Sequence, residues 1–404
     1  MADSIQRTDS IESSGFPLGF KVRQGTKRPG VLGLAPARDL FRVELRALGG
    51  HQKEAVVSEG ATGSAYRSVC DEGAGLKGTD LAPFPLGFFS AGLQADFLNR
   101  FMALAAVNKL AVSAVTSELQ NIYAFNGSFF RGDGRGSAEA PRIVLRLKAD
   151  APLSAVQVVA RAALDASPIM AAVRAPLANT FALYVNGKRR ALRAPAPSSA
   201  PDAPDPLKVW TGIPRPLVGS EQLEGMITKI RAAPPPDPAA PQLGMSADPN
   251  ATIKRQIDIR GVSRWEAGTT AAETWAGAPL GSRFGLKSDE RTDRDQGHSG
   301  VAVAAAGIAY CLMTQLLRYT EVHKMNIRAI RMVQDSPFEL AAVAGGAIRA
   351  VPHPFDTHVF LNGEDTDERM EKLLVMAQNT CYLHALLHGP YEPVLTVELM
   401  SSNS

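Results

Sequence analysis

The most constraining feature of this sequence is a long stretch without any formally charged residue, at residues 299–317. A run of this length must be buried, either in a lipid bilayer or in a protein core. It is rich in alanine and glycine, it also contains serine, threonine, glutamine and tyrosine, and no second stretch of this kind accompanies it. These properties favour a helix in a protein core over a membrane span. Near its centre lies Cys311, one of three cysteines.

The overall composition is that of a globular protein with two or three domains. The chain has 404 residues, of which 45% are hydrophobic and 21% are charged, as is typical of folded chains. Its 43 basic and 40 acidic residues leave a formal net charge of +3. This balance provides no electrostatic footprint for nucleic acid, which is therefore not expected as a partner.

Cysteine usage and the first residues predict a cytoplasmic protein. Three cysteines, an odd number spread far apart, argue against the disulfide framework of a secreted domain. The first residues carry charges and no apolar signal region. No P-loop, HExxH or GxSxG motif is present, and no GxGxxG occurs in a strand–turn–helix setting, so no cofactor is predicted.

Two proline-rich segments, at residues 194–206 and 232–241, divide the chain. Segments of this composition form extended, solvated linkers. The predicted organisation is therefore an N-terminal extension, a first unit, a proline-rich connector and a second unit, at residues 1–37, 38–193, 194–250 and 251–404.

The two units show the same order of predicted elements. In each unit two strands precede a long buried helix, and two β-like segments, an amphipathic helix and a final strand follow. The buried helices are predicted at residues 84–107 and 299–323, and the amphipathic helices at residues 152–173 and 365–387. The order indicates an α+β fold in which each unit has an antiparallel-rich sheet and a long central helix.

Short local matches support a duplication. The segment SAGLQAD aligns with AAGIAYC, which places Asp96 opposite Cys311, and LDASPI aligns with QNTCYL, which places Ser167 opposite Cys381. The two spacings agree to within one residue, and a fixed period is typical of repeated units. Two copies predict an intramolecular pseudo-dimer.

The pattern AxGxxxC on a buried helix, a second cysteine on a later helix and the order β–β–α–β–β–α–β resemble the OsmC/Ohr family. The resemblance covers roughly residues 38–193 and 251–404. It implies two intertwined α+β halves with their central helices at the middle and the sites at the interface. A fused tandem would supply both halves in one chain, as a monomeric pseudo-dimer or as a further homodimer.

The family's chemistry implies a peroxidase that reduces organic hydroperoxides with the help of a thiol reductant. By this resemblance Cys311 is the peroxidatic thiol and Cys381 is the resolving thiol. A thiolate attacks the O–O bond, becomes a sulfenic acid and condenses with a nearby thiol. The first unit has Asp96 and Ser167 in place of the two cysteines and cannot perform this disulfide chemistry.

The glutamate and the arginine that activate the thiol in the family have no clear counterparts in this sequence. Val301 occupies the position of the activating glutamate, and the partner arginine has no assigned counterpart. The candidate arginines are Arg67, Arg283, Arg291 and Arg294.

Asp96 allows two interpretations, because it lies in an otherwise apolar helix. It is either part of a degenerate half retained for packing, or a carboxyl group with a raised pKa used in acid–base chemistry. A buried carboxylate is costly unless it is paired, so an arginine or a water-filled cavity is expected beside it.

Histidines are concentrated in the second unit. The segment CYLHALLH places Cys381, His384 and His388 on one helical face. Cysteine and histidine on one face can ligate zinc, but the residue spacing of tight metal sites is not met and no metal is predicted. His384 or His358 could instead serve as a base for a thiol nucleophile, or each could be structural. The predicted binding residues are His298, His384, Arg283 and Arg294.

Two functional hypotheses from different classes follow, together with a third that is not enzymatic. The first is the thiol-dependent peroxidase that uses Cys311 and Cys381. The second is a cofactor-free hydrolase or lyase that acts on a small apolar or aromatic compound through Cys311 or Asp96 at the interface between the units. The third is a protein that only binds a hydrophobic ligand there.

Overall fold

The computed structural model describes residues 9–26, 30–33, 39–212, 214–216, 225–235, 248, 250–278, 280–290 and 297–400. The helices, in chain order, are α1 (Ile11–Ser14), α2 (Pro85–Val107), α3 (Leu153–Ala166), α4 (Pro168–Arg174), α5 (Leu207–Thr211), α6 (Gly300–Val322), α7 (Asp367–Thr380) and α8 (Tyr382–His388). The two long helices, α2 and α6, confirm the prediction of two buried helices.

Seventeen strands complete the described architecture. In chain order they are β1 (Gly19–Arg23), β2 (Asp39–Ala47), β3 (Lys53–Glu59), β4 (Ala65–Cys70), β5 (Val112–Gly127), β6 (Arg135–Ala138), β7 (Arg142–Ala149), β8 (Thr180–Val185), β9 (Lys188–Arg190), β10 (Ile227–Arg231), β11 (Ile253–Glu266), β12 (Thr269–Ala278), β13 (Arg283–Asp289), β14 (Ile327–Ala342), β15 (Ile348–Pro352), β16 (Asp356–Gly363) and β17 (Val394–Leu399). The fold is mixed α+β, as predicted.

The strands form two sheets. Each sheet contains strands from the part of the chain before the connector, called the first flank, and from the part after it, called the second flank. Sheet 1 has the order β1-β4-β3-β2-β14-β16-β8-β9, with β15 paired to β14. Sheet 2 has the order β10-β13-β12-β11-β5-β7-β17, with β6 paired to β5. The antiparallel pairs β2–β14 and β5–β11 join the flanks at the middle of each sheet. Neither flank therefore builds a sheet from its own strands alone.

Helices α2 and α6 cross in direct backbone contact. A methyl group on Gly92 would lie 2.3 Å from the amide nitrogen of Ala304, and one on Gly307 would lie 2.6 Å from that of Phe89. Gly300 faces the backbone of Asp96 in the same way, at 2.3 Å. Because only glycine permits such an approach, the Ala-Gly pair shared by the two helices is explained by their crossing. The helices run antiparallel, so each begins near the middle of the other.

Helix α6 is long and apolar enough to span a membrane by composition, but its apolar window is entirely buried inside the protein. Sequence and structure agree here, because the residues that lack charge are those that pack against α2 and both sheets.

Each predicted amphipathic helix is in fact two helices, which corrects the prediction of one continuous helix per unit. Between α3 and α4 the axis bends by 77°. Ser167 lies at this bend and caps α4 by accepting a hydrogen bond from the amide of Met170. Pro168 follows it, and because proline has no amide hydrogen it cannot continue the preceding helix. Cys381 occupies the corresponding bend between α7 and α8.

The segments outside the two predicted units also join the sheets. Strand β1 of the N-terminal extension pairs with β4, and β10 of the connector pairs with β13. The connector is not solvated throughout, because Ser198 donates a hydrogen bond to Asp356 at 2.9 Å and Tyr184 donates one to Asp202 at 3.0 Å. The proline-rich segment is thereby docked on sheet 1.

Candidate functional site

The two cysteines of the second flank meet inside the protein. Cys311 lies in the middle of α6 and Cys381 at the bend between α7 and α8, and both are buried. The two side chains are close enough for Cys311 to raise the pKa of the Cys381 thiol. All three cysteines of the chain are reduced in this structure. The fold thus brings together two thiols that are far apart in sequence.

Burial keeps Cys381 in its protonated form. Desolvation raises the pKa of the Cys381 thiol well above its ordinary value, and the hydrogen bond and charge of Cys311 raise it further. The backbone amides of His384 and Leu383 act in the opposite direction but do not compensate. Cys381 is therefore a thiol at neutral pH and must lose a proton before it can attack.

His384 is in position to take that proton. Its Nδ1 lies 3.1 Å from the sulfur of Cys381, and the ring is fully buried. Burial lowers the pKa of His384 to about 4, so the imidazole is neutral near pH 7 and one of its nitrogens can accept a proton. Within the described part of the chain, its Nε2 has no hydrogen-bond partner.

Aromatic side chains surround the thiol pair. The rings of Tyr123 and Tyr382 lie 5.9 Å apart. Burial raises the pKa of each phenol, and Cys311 and Cys381 raise it further. The pKa of Tyr123 lies well above its ordinary value, chiefly because of burial. Neither phenol is therefore ionised near neutral pH. Tyr123 belongs to the first flank, so both flanks contribute to the site.

A buried ion pair lies next to the same helix. The Nζ of Lys53 is 3.0 Å from a carboxylate oxygen of Glu72 and 2.8 Å from the hydroxyl of Thr314 on α6. Burial lowers the pKa of Lys53, but Glu72 and neighbouring groups raise it by more, so this pKa lies above its ordinary value. Burial raises the pKa of the nearby Cys70 thiol, and Lys53 only partly offsets this. Sequence reasoning did not identify Lys53 or Glu72, because a lysine within a strand pattern is usually exposed.

In the first flank the corresponding position of the central helix holds Asp96, a buried carboxyl group with one hydrogen-bonded oxygen and one oxygen that only faces an arginine. The hydroxyl of Ser167 lies 2.5 Å from an oxygen of Asp96, and the amide of Ile169 donates to the same oxygen at 3.2 Å. The Nε of Arg100 is 3.1 Å from the other oxygen. Burial raises the pKa of Asp96, and Arg100, Ser167 and Ile169 oppose this rise. The arginine expected beside a buried carboxyl group is thus Arg100, and these contacts tie α2 to α4.

The replacement Asp96→Ala is expected to destabilise the protein by about 3–5 kcal/mol, because it leaves the buried Arg100 without its partner. Asp96→Asn is expected to cost less, since its amide oxygen can still accept from Ser167 and Ile169. Urea unfolding followed by circular dichroism measures both effects. Asp165→Ala provides the matched control, because its pair with Arg174 is partly exposed and is worth at most about 1 kcal/mol. An Asp96→Ala protein as stable as this control would contradict the structural role.

Two of the other predicted binding residues, Arg283 and His298, are described by the structure and contact groups away from the thiol pair. The guanidinium group of Arg283 lies 3.9 Å from the ring centroid of Trp275 and 3.2 Å from a carboxylate oxygen of Glu273, so it already has two partners. His298 is buried, with its ring 4.5 Å from that of Tyr66.

Of the remaining candidate arginines, the structure describes only Arg67. Arg67 is buried and pairs with Glu54 at 2.6 Å. Arg291 and Arg294 lie outside the described residues. Sequence reasoning did not consider Arg318, which lies two turns after Cys311 on the same helical face and whose charge lowers the pKa of Tyr382.

Among the described residues, no three His, Cys, Asp or Glu side chains are arranged to hold a metal ion. The sequence matches no protein-family model and no curated protein. One solved structure with a detectable likeness is an OsmC-like hydroperoxide resistance protein from Jannaschia sp. CCS1. It is 21% identical, the match covers 32% of this chain and 85% of that chain, and the TM-score is 0.22.

Proposed function

We propose that this protein is a thiol-dependent peroxidase of the OsmC/Ohr type that reduces organic hydroperoxides. Cys311 would be the peroxidatic thiol and Cys381 the resolving thiol. The observation that carries this proposal is the contact between the two buried thiols, which come from different helices. A disulfide requires its two β-carbons to be close, and the effect of Cys311 on the pKa of Cys381 supports such a proximity.

We further propose that the chain is an intramolecular pseudo-dimer of two related halves, in the organisation that the sequence predicts. Three features support this proposal. Helices α2 and α6 have the same length, the two sheets repeat the same order of corresponding strands, and the pair Asp96–Ser167 occupies the place of the pair Cys311–Cys381. In this view only the second half retains the thiol chemistry.

The first step consumes the hydroperoxide at Cys311. The sulfur of the Cys311 thiolate attacks the terminal oxygen of the hydroperoxide, the S–O bond forms and the O–O bond breaks. The alkoxide leaves and takes a proton to become an alcohol. Two electrons pass from sulfur to the peroxide, and Cys311 becomes a sulfenic acid.

The second step closes the disulfide. The proton of the Cys381 thiol passes to Nδ1 of His384, which lies 3.1 Å away. The resulting thiolate attacks the sulfur of the Cys311 sulfenic acid, the S–S bond forms and the S–O bond breaks. The departing hydroxide takes the proton back from His384 and leaves as water. An external dithiol then reduces the disulfide, which fits the predicted reducing, cytoplasmic environment.

Rapid mixing of the fully reduced protein with cumene hydroperoxide tests this function. Two of the three thiols in each chain are expected to be lost, and peptide mass spectrometry is expected to find a disulfide between Cys311 and Cys381. Cys70 should remain reduced. If the hydroperoxide leaves all three thiols intact, the peroxidase proposal is wrong.

A second candidate function is favoured by the contact between Cys381 and His384. A thiol beside a neutral imidazole can act as a nucleophile at a carbon centre, as in cysteine-dependent hydrolases. An aryl ester such as p-nitrophenyl acetate would then acylate Cys381 in the wild-type protein and not in His384→Asn. Acylation of Cys381 combined with inertness towards hydroperoxide would favour this cofactor-free hydrolase, and absence of both reactions would favour the ligand-binding protein.

A further inference from the structure

Strand β17 is an open end of sheet 2. It pairs in parallel with β7 on one side, and no strand in the described ranges pairs with its other side. The amide of Val394 donates a hydrogen bond to the carbonyl oxygen of Pro141, and that of Met400 donates one to Leu147. The even-numbered residues of β17 therefore turn their backbone groups towards β7, and the odd-numbered residues turn theirs away from the sheet.

The open edge of β17 is formed by Leu395, Val397 and Leu399. Their N–H and C=O groups point outwards in a row, which is a template for pairing with a further strand. Their side chains share one face of the sheet. Leu395 and Val397 pack against the main core, and Leu399 is 40% exposed. This edge therefore suits a β-strand that itself carries apolar side chains.

The other three sheet ends carry positive charges, whereas β17 does not. Strands β1, β9 and β10 form these ends. Their cations are Lys21 and Arg23, then Lys188, Arg189 and Arg190, and then Lys229 and Arg231. Charged side chains, lysine above all, are a common means of preventing two sheet edges from pairing. The one charged residue of β17 is Glu398, which pairs with Arg146 at 2.7 Å. The charge pattern thus opposes self-association at three ends and permits it at the fourth.

A second copy of β17 is the partner that fits this edge. In an antiparallel pair, Val397 opposite its own copy sets Leu395 opposite Leu399 of the partner subunit, so that all the outward-pointing residues exchange hydrogen bonds. The same register sets Glu398 opposite Thr396 of the partner subunit, so no like charges meet directly. Because one surface meets itself, the contact closes as a two-fold symmetric dimer.

The helix beside β17 extends its apolar surface. Of the ten large apolar side chains that are exposed in the described part of the chain, four lie on β17 and on α3, which packs beside it. They are Val394, Leu399, Leu153 and Val158. Single exposed apolar residues are common, but a concentration of them is typical of an interaction surface. A pair of six-residue strands is small for a stable dimer, so α3 is expected to add contacts.

We propose that two copies of this protein associate through β17 as an antiparallel, two-fold symmetric pair, which joins sheet 2 of both copies into one continuous sheet. The organisation of the two halves within each chain is unchanged by this association. Neither thiol of the pair Cys311–Cys381 lies on β17, so the inference does not depend on the peroxidase proposal, and each can fail without the other.

Sedimentation velocity of the reduced, full-length protein at up to about 100 µM tests this inference, since a specific interface associates well below that concentration. The wild type is expected to be a dimer of 43.0 kDa chains. Leu399→Lys is expected to raise the dissociation constant at least about tenfold, because it places an ammonium group against apolar side chains of the partner. Leu399 is exposed, so this variant should fold as the wild type does.

Val397→Pro is a second disrupting variant, because proline lacks the amide hydrogen that would reach the partner, and the pairing with β7 does not use that amide. Ile230→Lys is the matched control, since Ile230 is 49% exposed on β10, at the opposite end of the same sheet. It should dimerise as the wild type does, and thermal unfolding should show that the variants are folded. A monomeric wild type, an assembly that grows beyond the dimer, or an unchanged dissociation constant in Leu399→Lys would each overturn the inference.

Discussion

Cys311→Ser is expected to abolish hydroperoxide turnover, down to the rate of the uncatalysed reaction with a dithiol. The reason is chemical: a serine hydroxyl is not ionised at neutral pH and does not attack an O–O bond, whereas a thiolate does. Coupled consumption of a hydroperoxide and a dithiol measures the rate. Thermal unfolding should show that the variant folds, because serine differs from cysteine by a single small atom at this buried position.

The other two cysteines provide controls with different expected results. Cys381→Ser should still consume one equivalent of hydroperoxide and then stop, with a sulfenic acid on Cys311 that dimedone traps. Cys70→Ser should turn over like the wild type, since Cys70 has no role in either step. Turnover that survives in Cys311→Ser would mean that another group reacts, and the assignment of the peroxidatic thiol would be wrong.

His384→Asn is expected to slow disulfide closure by about tenfold or more, at or below the low end of the usual range for a positioned general base, because a pKa of about 4 makes His384 a weak base. Asparagine keeps a polar group near the sulfur of Cys381 but cannot take its proton. The first step should be unaffected, so sulfenic acid on Cys311 should accumulate. Single-turnover mixing followed by dimedone trapping separates the two steps, and closure at the wild-type rate in His384→Asn would refute the assigned role.

The pH dependence gives this prediction a second readout. Because burial lowers the pKa of His384 to about 4, the rate of closure should fall on the acid side near pH 4 rather than near 6.5. The same shift makes the folded protein bind fewer protons than the unfolded chain, so His384 reduces stability as the pH falls from about 6.5 to about 4. His384→Asn should lose this contribution. His388→Gln, one turn later on α8 and exposed, should retain both properties.

The comparison of the two flanks explains how one chain can keep a thiol pair at one site and none at the other. Asp96 and Ser167 link a central helix to the bend after α3 by hydrogen bonds, just as Cys311 and Cys381 approach each other at the bend after α7. Both pairs join the same kinds of elements. Asp96 pairs with Arg100 and accepts two hydrogen bonds within the protein, which favours its structural interpretation over an acid–base role.

Much of the local structure could be predicted from the sequence. The absence of charge at residues 299–317 requires burial, and the shared Ala-Gly aligns two helices that the structure shows in backbone contact. The bends at Ser167 and Cys381 were not predicted, because the apolar periodicity continues through them. Pro168 was the available signal for the first bend.

The positions of the arginines relative to the thiol site could not be predicted from the sequence. Arg283 was a candidate because it precedes the buried helix in sequence, yet Trp275 and Glu273 hold it. Arg255 on β11 was not a candidate, because its place on the core-facing side of sheet 2 depends on the register that sets it opposite Phe125. Strand register is a tertiary property, and a shift of one residue would turn Arg255 to the other face of the sheet.

By itself, the sequence determined which helix must be buried and where its thiol lies, because burial leaves a periodic pattern of residue types. Only the tertiary structure decided that strands of each flank complete the sheet of the other, that His384 lies beside Cys381 and that Lys53 and Glu72 pair next to α6. These arrangements join residues that are distant in the chain, and the free energy of such contacts depends on distances and desolvation that no local pattern records.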